Sequence, residues 1–216
     1  MSIKRDIMTS IQLGKYNKLK VVKKAYKHTG ARIGEKEEFG LYLDGGDDGE
    51  ILMPEKYVPE GTVIGDEVNV FVYLDQDERP VATTEKPLAQ AGEFAFLECA
   101  WVNQYGAFLD WGVTKNLFCP FREQKRKMEV GEMYIVYIYV DDASYRLVAS
   151  AKVDKFLSHI TNDDLKDYHH GTKVDLLIWQ KTDLGFKVII NNKFGVLIYD
   201  DQIFKYVHTG DRMEGY

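Results

Sequence analysis

Reactive side chains become chemistry only where they converge, and this chain of 216 residues offers few that could. Its one paired imidazole is His169-His170, and no third ligand stands near it at metal spacing, so a polar linker is the better reading. Its carboxylate doublets, Asp47-Asp48, Asp141-Asp142, Asp163-Asp164 and Asp200-Asp201, are scattered along the chain. They suit turns and caps, whereas a two-metal site needs carboxylates closing on one cavity. There is no glycine-rich phosphate loop, no nucleophile elbow and no Cys-x-x-Cys. The sequence therefore argues against an enzyme, and neither a metal nor a cofactor is expected. What remains is non-covalent chemistry, from flat rings that stack and cations that meet anions.

The rings recur in one setting. Phe39-Gly40-Leu41-Tyr42-Leu43-Asp44, Tyr105-Gly106-Ala107-Phe108-Leu109-Asp110 and Leu184-Gly185-Phe186-Lys187-Val188-Ile189 share their punctuation. Each is followed, 26 residues after its first position, by a Gly-acidic pair: Gly65-Asp66, Gly131-Glu132 and Gly210-Asp211. Such a repeat means tandem copies of one small module. Period-two alternation puts Ala107 and Leu109 on one face of a strand and Phe108 with Asp110 on the other. Asp110 prefers water, so Phe108 shares a wet face, and Tyr42 stands beside Asp44 in the same way. Gly106 breaks the alternation at Tyr105, whose face stays open.

The cations are unevenly spread. The net charge is −6, which argues against wholesale nucleic-acid binding because an acidic body repels phosphate. Residues 1–30 nevertheless carry Lys4, Arg5, Lys15, Lys18, Lys20, Lys23, Lys24 and Lys27 against Asp6 alone, and the next sixty residues are strongly acidic. A second basic knot comprises Arg122, Lys125, Arg126 and Lys127. For any single cluster, a solvated face is the plainer reading.

The elements that must carry these groups read as strands. Lys20–Tyr26, Val68–Leu74, Phe94–Trp101 and Tyr134–Val140 are rich in β-branched and aromatic residues and are bounded by Gly, Asp and Pro. An offset of 66 lays the first module on the second without a gap: Gly40 falls on Gly106, Asp44 on Asp110, Pro54 on Pro120 and Asp75 on Asp141. The third copy lies 79 residues further on, and at that offset the position matching Asp75 falls beyond Tyr216, so either the chain is longer or this copy is degenerate. The expected organisation is a first module over 1–88, a second over 89–153, a partly helical connector over 154–170 with Asn162 or Asp163 as cap, and a truncated third module over 171–216. About five strands in each 60–90 residues predict an all-β chain of small five-stranded OB-fold barrels, with glycines at barrel corners. Cys99 and Cys119 cannot build a disulfide framework, and neither a signal peptide nor an apolar stretch of membrane-spanning length is seen, so a cytoplasmic protein is expected.

Tyr105-Gly106-Ala107-Phe108-Leu109-Asp110, Val130-Gly131-Glu132, Val140-Asp141-Asp142 and Arg146-Leu147-Val148-Ala149-Ser150 together resemble an S1-type RNA-binding domain. The tandem order, Leu117 to Gln124 and the opening Leu19-Lys20-Val21-Val22 resemble the conserved virulence factor B (CvfB/YitL) family over the whole chain, most closely in the second module. The resemblance implies several S1-like domains, a following winged-helix domain not seen in this chain, single-stranded RNA as partner, and a role in regulating gene expression. It puts stacking on Tyr105 and Phe108, with Asp141 and Arg146 as acidic and basic partners, and on Phe39, Tyr42, Asp75 and Arg79 in the first module. The family's third-strand His is matched to Cys119 and Met53, neither of which donates like an imidazole. In the third module Leu184 and Lys187 replace the rings, leaving Lys187 for phosphate. Arg122, Lys125 and Arg126 fall where such folds carry a short helix beside the binding face. The rival reading is a protein-interaction module whose exposed aromatics bind another protein.

Overall fold

The computed structural model describes residues 11–28 and 36–216, so Lys4 and Arg5 of the basic opening segment lie outside the described residues. Strands dominate, and no α-helix occurs among the described residues. The first five, β1 (Lys15–His28), β2 (Lys36–Asp44), β3 (Glu50–Pro54), β4 (Glu67–Leu74) and β5 (Pro80–Thr83), close into a barrel in the order β1-β2-β3-β5-β4. The next five, β6 (Phe94–Val102), β7 (Gly106–Asp110), β8 (Leu117–Pro120), β9 (Met133–Val140) and β10 (Leu147–Ser150), close with the same connectivity. In both barrels the third and fifth strands run parallel, Leu52 opposite Val81 and Phe118 opposite Val148. The last four, β11 (Val174–Lys181), β12 (Gly185–Ile190), β13 (Phe194–Tyr199) and β14 (Arg212–Gly215), form an open sheet in the order β13-β12-β11-β14. The all-β reading, with two OB-like barrels and an incomplete third module, holds.

The repeated punctuation has a backbone cause. A Cβ on Gly40, Gly106 or Gly185 would come within 2.2, 2.4 or 2.1 Å of the carbonyl oxygen of Met53, Cys119 or Ile198 respectively. Each glycine thus lets its strand press against the next, and no other residue fits there. The Gly-acidic turns clamp the opposite neighbour. Gly65, Gly131 and Gly210 all have positive φ, and their N–H groups donate to the carbonyls of Val21, Cys99 and Ile178 at 2.9, 2.8 and 2.8 Å. Those same residues donate back to the carbonyls of Asp66, Glu132 and Asp211. Immediately after each clamped residue the strand bulges: between Val21 and Lys23, Cys99 and Trp101, and Ile178 and Gln180. A bulge re-aims the side chains that follow it.

The cores follow from alternation. Val21, Leu41, Leu43, Ile51, Met53, Val70, Val72 and Ala82 fill the first barrel. In the second, Leu97, Cys99, Ala107, Leu109, Cys119, Val136 and Ile138 are buried, while Phe94 and Ile135, on the other face of their strands, join Val153 and the open sheet's Leu177, Trp179 and Ile189 in one cluster. The described chain divides into two compact units, one running to Ala91 with Gly112–Lys115 and Val140–Leu147, the other holding Gly92–Trp111, Asn116–Tyr139 and Val148–Tyr216. In the segment after β10, helical structure is confined to the short 3-10 turns Val153–Phe156 and Asp164–Lys166. Neither Asn162 nor Asp163 caps the second turn with its side chain. Asp164 instead accepts from the Thr161 N–H and hydroxyl at 3.0 and 2.7 Å.

Candidate functional site

The outer wall of the second barrel carries a continuous row of rings. The bulge in β6 places Trp101 directly opposite Phe108 on β7, and Phe108 lies opposite Phe118 on β8. Trp101 and Phe108 stack with centroids 3.6 Å apart and planes 2° from parallel, and Phe118 closes on Phe108 at 5.0 Å. Trp101 is 43% exposed, and its indole N–H donates to Asn116 Oδ1 at 3.1 Å, which fixes the ring. Phe108 is half-buried on the outer side, as its alternation with Asp110 requires. Tyr105 is 65% exposed at the mouth of the β6–β7 hairpin, where its carbonyl accepts from the Phe121 N–H. Further along β6 and β7, away from Tyr105, Glu98 and Asp110 face each other across the strands, both exposed. The wall is therefore aromatic in the middle and anionic at one end.

The same address in the first barrel is chemically different. Lys23 lies opposite Tyr42, and Tyr42 opposite Leu52. Lys23 Nζ sits 5.1 Å from the Tyr42 ring and pairs with Glu50 at 2.7 Å. Phe39 is half-buried at the start of this wall. Much of the basic stretch is spent across strands: of the six lysines on β1, Lys18, Lys23, Lys24 and Lys27 pair with Glu67, Glu50, Glu38 and Glu37. In the open sheet the equivalent pair is Gln180 against Lys187, with Leu197 beyond.

The acidic and basic partners close hairpins. Asp75 accepts from the Arg79 N–H and guanidinium, and Arg79 also bonds Asp77 at 2.8 Å. Those hydrogen bonds, from the Arg79 backbone first, hold the Asp75 carboxyl below its ordinary range despite partial burial that opposes them. Asp141 accepts from the Ser144 N–H and hydroxyl, and Arg146 reaches Glu78 at 3.3 Å. The second hairpin, closed from Asp141 to Arg146, holds one residue more than the first, closed from Asp75 to Arg79.

Cys119 and Met53 do not lie on the wall. Both are buried in the barrel interiors, and burial pushes the Cys119 thiol up to about 12. The outward third-strand residues are Phe118 and Leu52, one position earlier, because a one-residue shift in a strand exchanges its faces. Trp101 was outside the residues read from sequence. Its signal is the bulge, which becomes visible only when β1 and β6 are laid on each other at their own offset: Lys23 and Tyr42 stand 19 positions apart, Trp101 and Phe108 seven.

The basic knot splits. Arg122 is exposed on the 3-10 turn Phe121–Glu123 that follows β8. Arg126 lies 5.9 Å from the Tyr134 ring. Lys125 and Lys187 converge, each with Nζ 5.1 Å from the ring of Trp179. Among the described residues no group of three His, Cys, Asp or Glu side chains is placed to hold a metal ion. None of their helices is long and apolar enough to cross a membrane.

Residues 27–85 match the S1 domain family model, a match centred on the first barrel, whereas the sequence points most strongly to the second. The uncharacterized protein YitL of Bacillus subtilis is 27% identical over 187 residues, 84% of this chain. The resemblance to the CvfB/YitL family is borne out. The chain spans 59% of YitL's length. A crystal structure of a multidomain protein with nucleic acid binding domains from Streptococcus pneumoniae shares the fold with a TM-score of 0.50 at 14% identity, over 94% of this chain and 67% of its own.

Proposed function

We propose that this YitL-like protein binds single-stranded RNA, with the Trp101–Phe108–Phe118 wall of the second barrel as its main base-stacking platform. The observation that carries the reading is the parallel Trp101–Phe108 stack, held on the solvent side by the bond to Asn116. A pre-positioned ring costs little to order when a base stacks on it, and stacking is worth about 1–3 kcal/mol per base. The S1 match and the nucleic acid binding domains of the Streptococcus structure support the partner class. Glu98 and Asp110 repel phosphate, so the strand's backbone leaves the wall at the Tyr105 end, toward Arg122. Asp75, Asp141 and Arg79 act as hairpin braces first and the Arg146 side chain pairs with Glu78, so a contact from either arginine is secondary. Linked weak sites add through effective concentration, which suits a regulator of gene expression acting on RNA in the cytoplasm. Two free, buried cysteines fit that compartment.

Fluorescence anisotropy with a labelled oligoribonucleotide, repeated across salt concentrations, tests this. Affinity should fall steeply with salt, because phosphate contacts release counterions. The carboxylates at one end of the wall favour a second reading, a basic peptide of a protein partner. A protein that ignores RNA at low salt while retaining such a peptide would establish that reading instead.

A further inference from the structure

Rings and cations also meet away from the wall. Trp179 on β11 is nearly buried in the cluster that joins the second barrel to the open sheet, inside one compact unit. Two ammonium groups from different modules lie over it: Lys125 from the segment after β8, and Lys187 from β12. One carboxylate serves them. Lys125 bonds Asp154 at 2.6 Å. That bond leads in holding the Asp154 carboxyl below its ordinary range, and Lys187 adds to it. Two ammoniums against one carboxylate leave positive charge in excess. Arg126 stands over Tyr134 close by in sequence, and Lys155 reaches the buried Glu123 at 3.4 Å. In a chain of net charge −6 this is a local reversal of sign.

We propose that Lys125 and Lys187, held over Trp179, are a second contact surface that takes the phosphate backbone of a strand whose bases lie on the Trp101–Phe108 wall. The proposal rests on the reading of that wall as an RNA site. Cation–π contact holds each ammonium near the indole without neutralising it. Asp154 holds Lys125 in the absence of ligand, and phosphate competes with it. The third module, which has Lys187 where the second has Phe108, then contributes charge in place of stacking.

The test uses the full chain and two labelled oligoribonucleotides, one of four nucleotides and one of twelve. Replacing Lys125→Gln and Lys187→Gln together should weaken the twelve-mer about tenfold and lower its log–log salt slope by about 1.4. The four-mer, confined to the wall, should bind as before. Asp154→Asn should move the other way and tighten the twelve-mer severalfold, because it removes the competing anion. A purely structural ion pair predicts no such gain. The pair Lys125→Arg and Lys187→Arg should bind like the parent, and melting curves of every variant report folding. An unchanged twelve-mer, an equal loss for both lengths, or weaker binding by Asp154→Asn overturns the proposal while leaving the wall intact. If the parent binds neither oligonucleotide, the wall reading falls, and this one with it.

Discussion

In the first barrel the pair beside the bulge is Lys23 against Tyr42, with Leu52 beyond; in the second it is Trp101 against Phe108, with Phe118 beyond. The backbone delivering the two rows is the same. Gly40 and Gly106 allow the same close approach, and the Gly65 and Gly131 turns clamp Val21 and Cys99 with matching bonds. The side chains delivered are not the same. One row holds a single ring, Tyr42, under an ammonium that is already paired with Glu50, the other three rings in contact. The scaffold is thus enforced by backbone sterics and turn hydrogen bonds that do not depend on what the wall displays. Binding strength can change between modules without any change of fold.

The largest effects should come from attacking what the two barrels share. Gly106→Val drives a side chain into the Cys119 carbonyl and should destabilise the second unit by about 3 kcal/mol or more. Trp101, Trp111 and Trp179 all lie in that unit, so tryptophan emission during urea unfolding follows it. Gly40→Val should do comparable damage in the first barrel, followed by circular dichroism, with a smaller shift of the tryptophan signal. A mild effect at either glycine would break the equivalence.

Next comes what the barrels do not share. Trp101→Ala should cost about 1–3 kcal/mol of RNA binding, and Tyr42→Ala less than about 0.5 kcal/mol. Anisotropy on one oligoribonucleotide compares them directly. Equal losses would mean that the stacked pair confers nothing beyond a lone ring.

The shared scaffold was legible because its causes are local. A glycine that must pass a carbonyl, and a turn that needs positive φ, leave the same letters at the same spacing in every copy. Phe108 was legible because Asp110, two positions on, declares the wet face. Trp101 was not, since the bulge after Cys99 interrupts the alternation and the longer β1–β2 connection hides the match to Lys23. Cys119 was set on the wrong face by a single position, and in a strand one position is the whole difference between wall and core. The meeting of Lys125 with Lys187 joins elements from two modules, and no spacing within either records it.

The first barrel can also be given the rings of the second. Lys23→Trp with Leu52→Phe would give the first barrel a Trp–Tyr–Phe row on an unchanged backbone. Affinity for a long oligoribonucleotide should rise by about 1 kcal/mol, near the lower end of a stacking contribution. The gain should disappear when Tyr42→Ala is added. No gain would show that ring content alone does not make the wall, and that Asn116, which bonds Trp101 where the first barrel has Glu50, matters as much.

The smallest effect concerns the interior position where Met53 and Cys119 correspond. Burial pushes the Cys119 thiol from an ordinary 9.0 up to about 12, and raises Cys99 as well. Above pH 9 the unfolded chain releases these protons while the folded barrel keeps them. The unfolded state then binds fewer protons, so stability falls as pH rises from 9 toward 12, by about 1.4 kcal/mol per pH unit for one fully unmatched thiol. The first barrel has no thiol, but burial raises Tyr73 above its ordinary 10.0, so its own decline begins about one pH unit later. Urea titrations at pH 8 and pH 9.5 should therefore lower the tryptophan-reported midpoint more than the midpoint of the first barrel. Cys119→Ala should flatten the tryptophan-reported slope. If the slope persists unchanged in that variant, burial of this thiol is not its source, and the two interiors are closer in their chemistry than Met53 and Cys119 suggest.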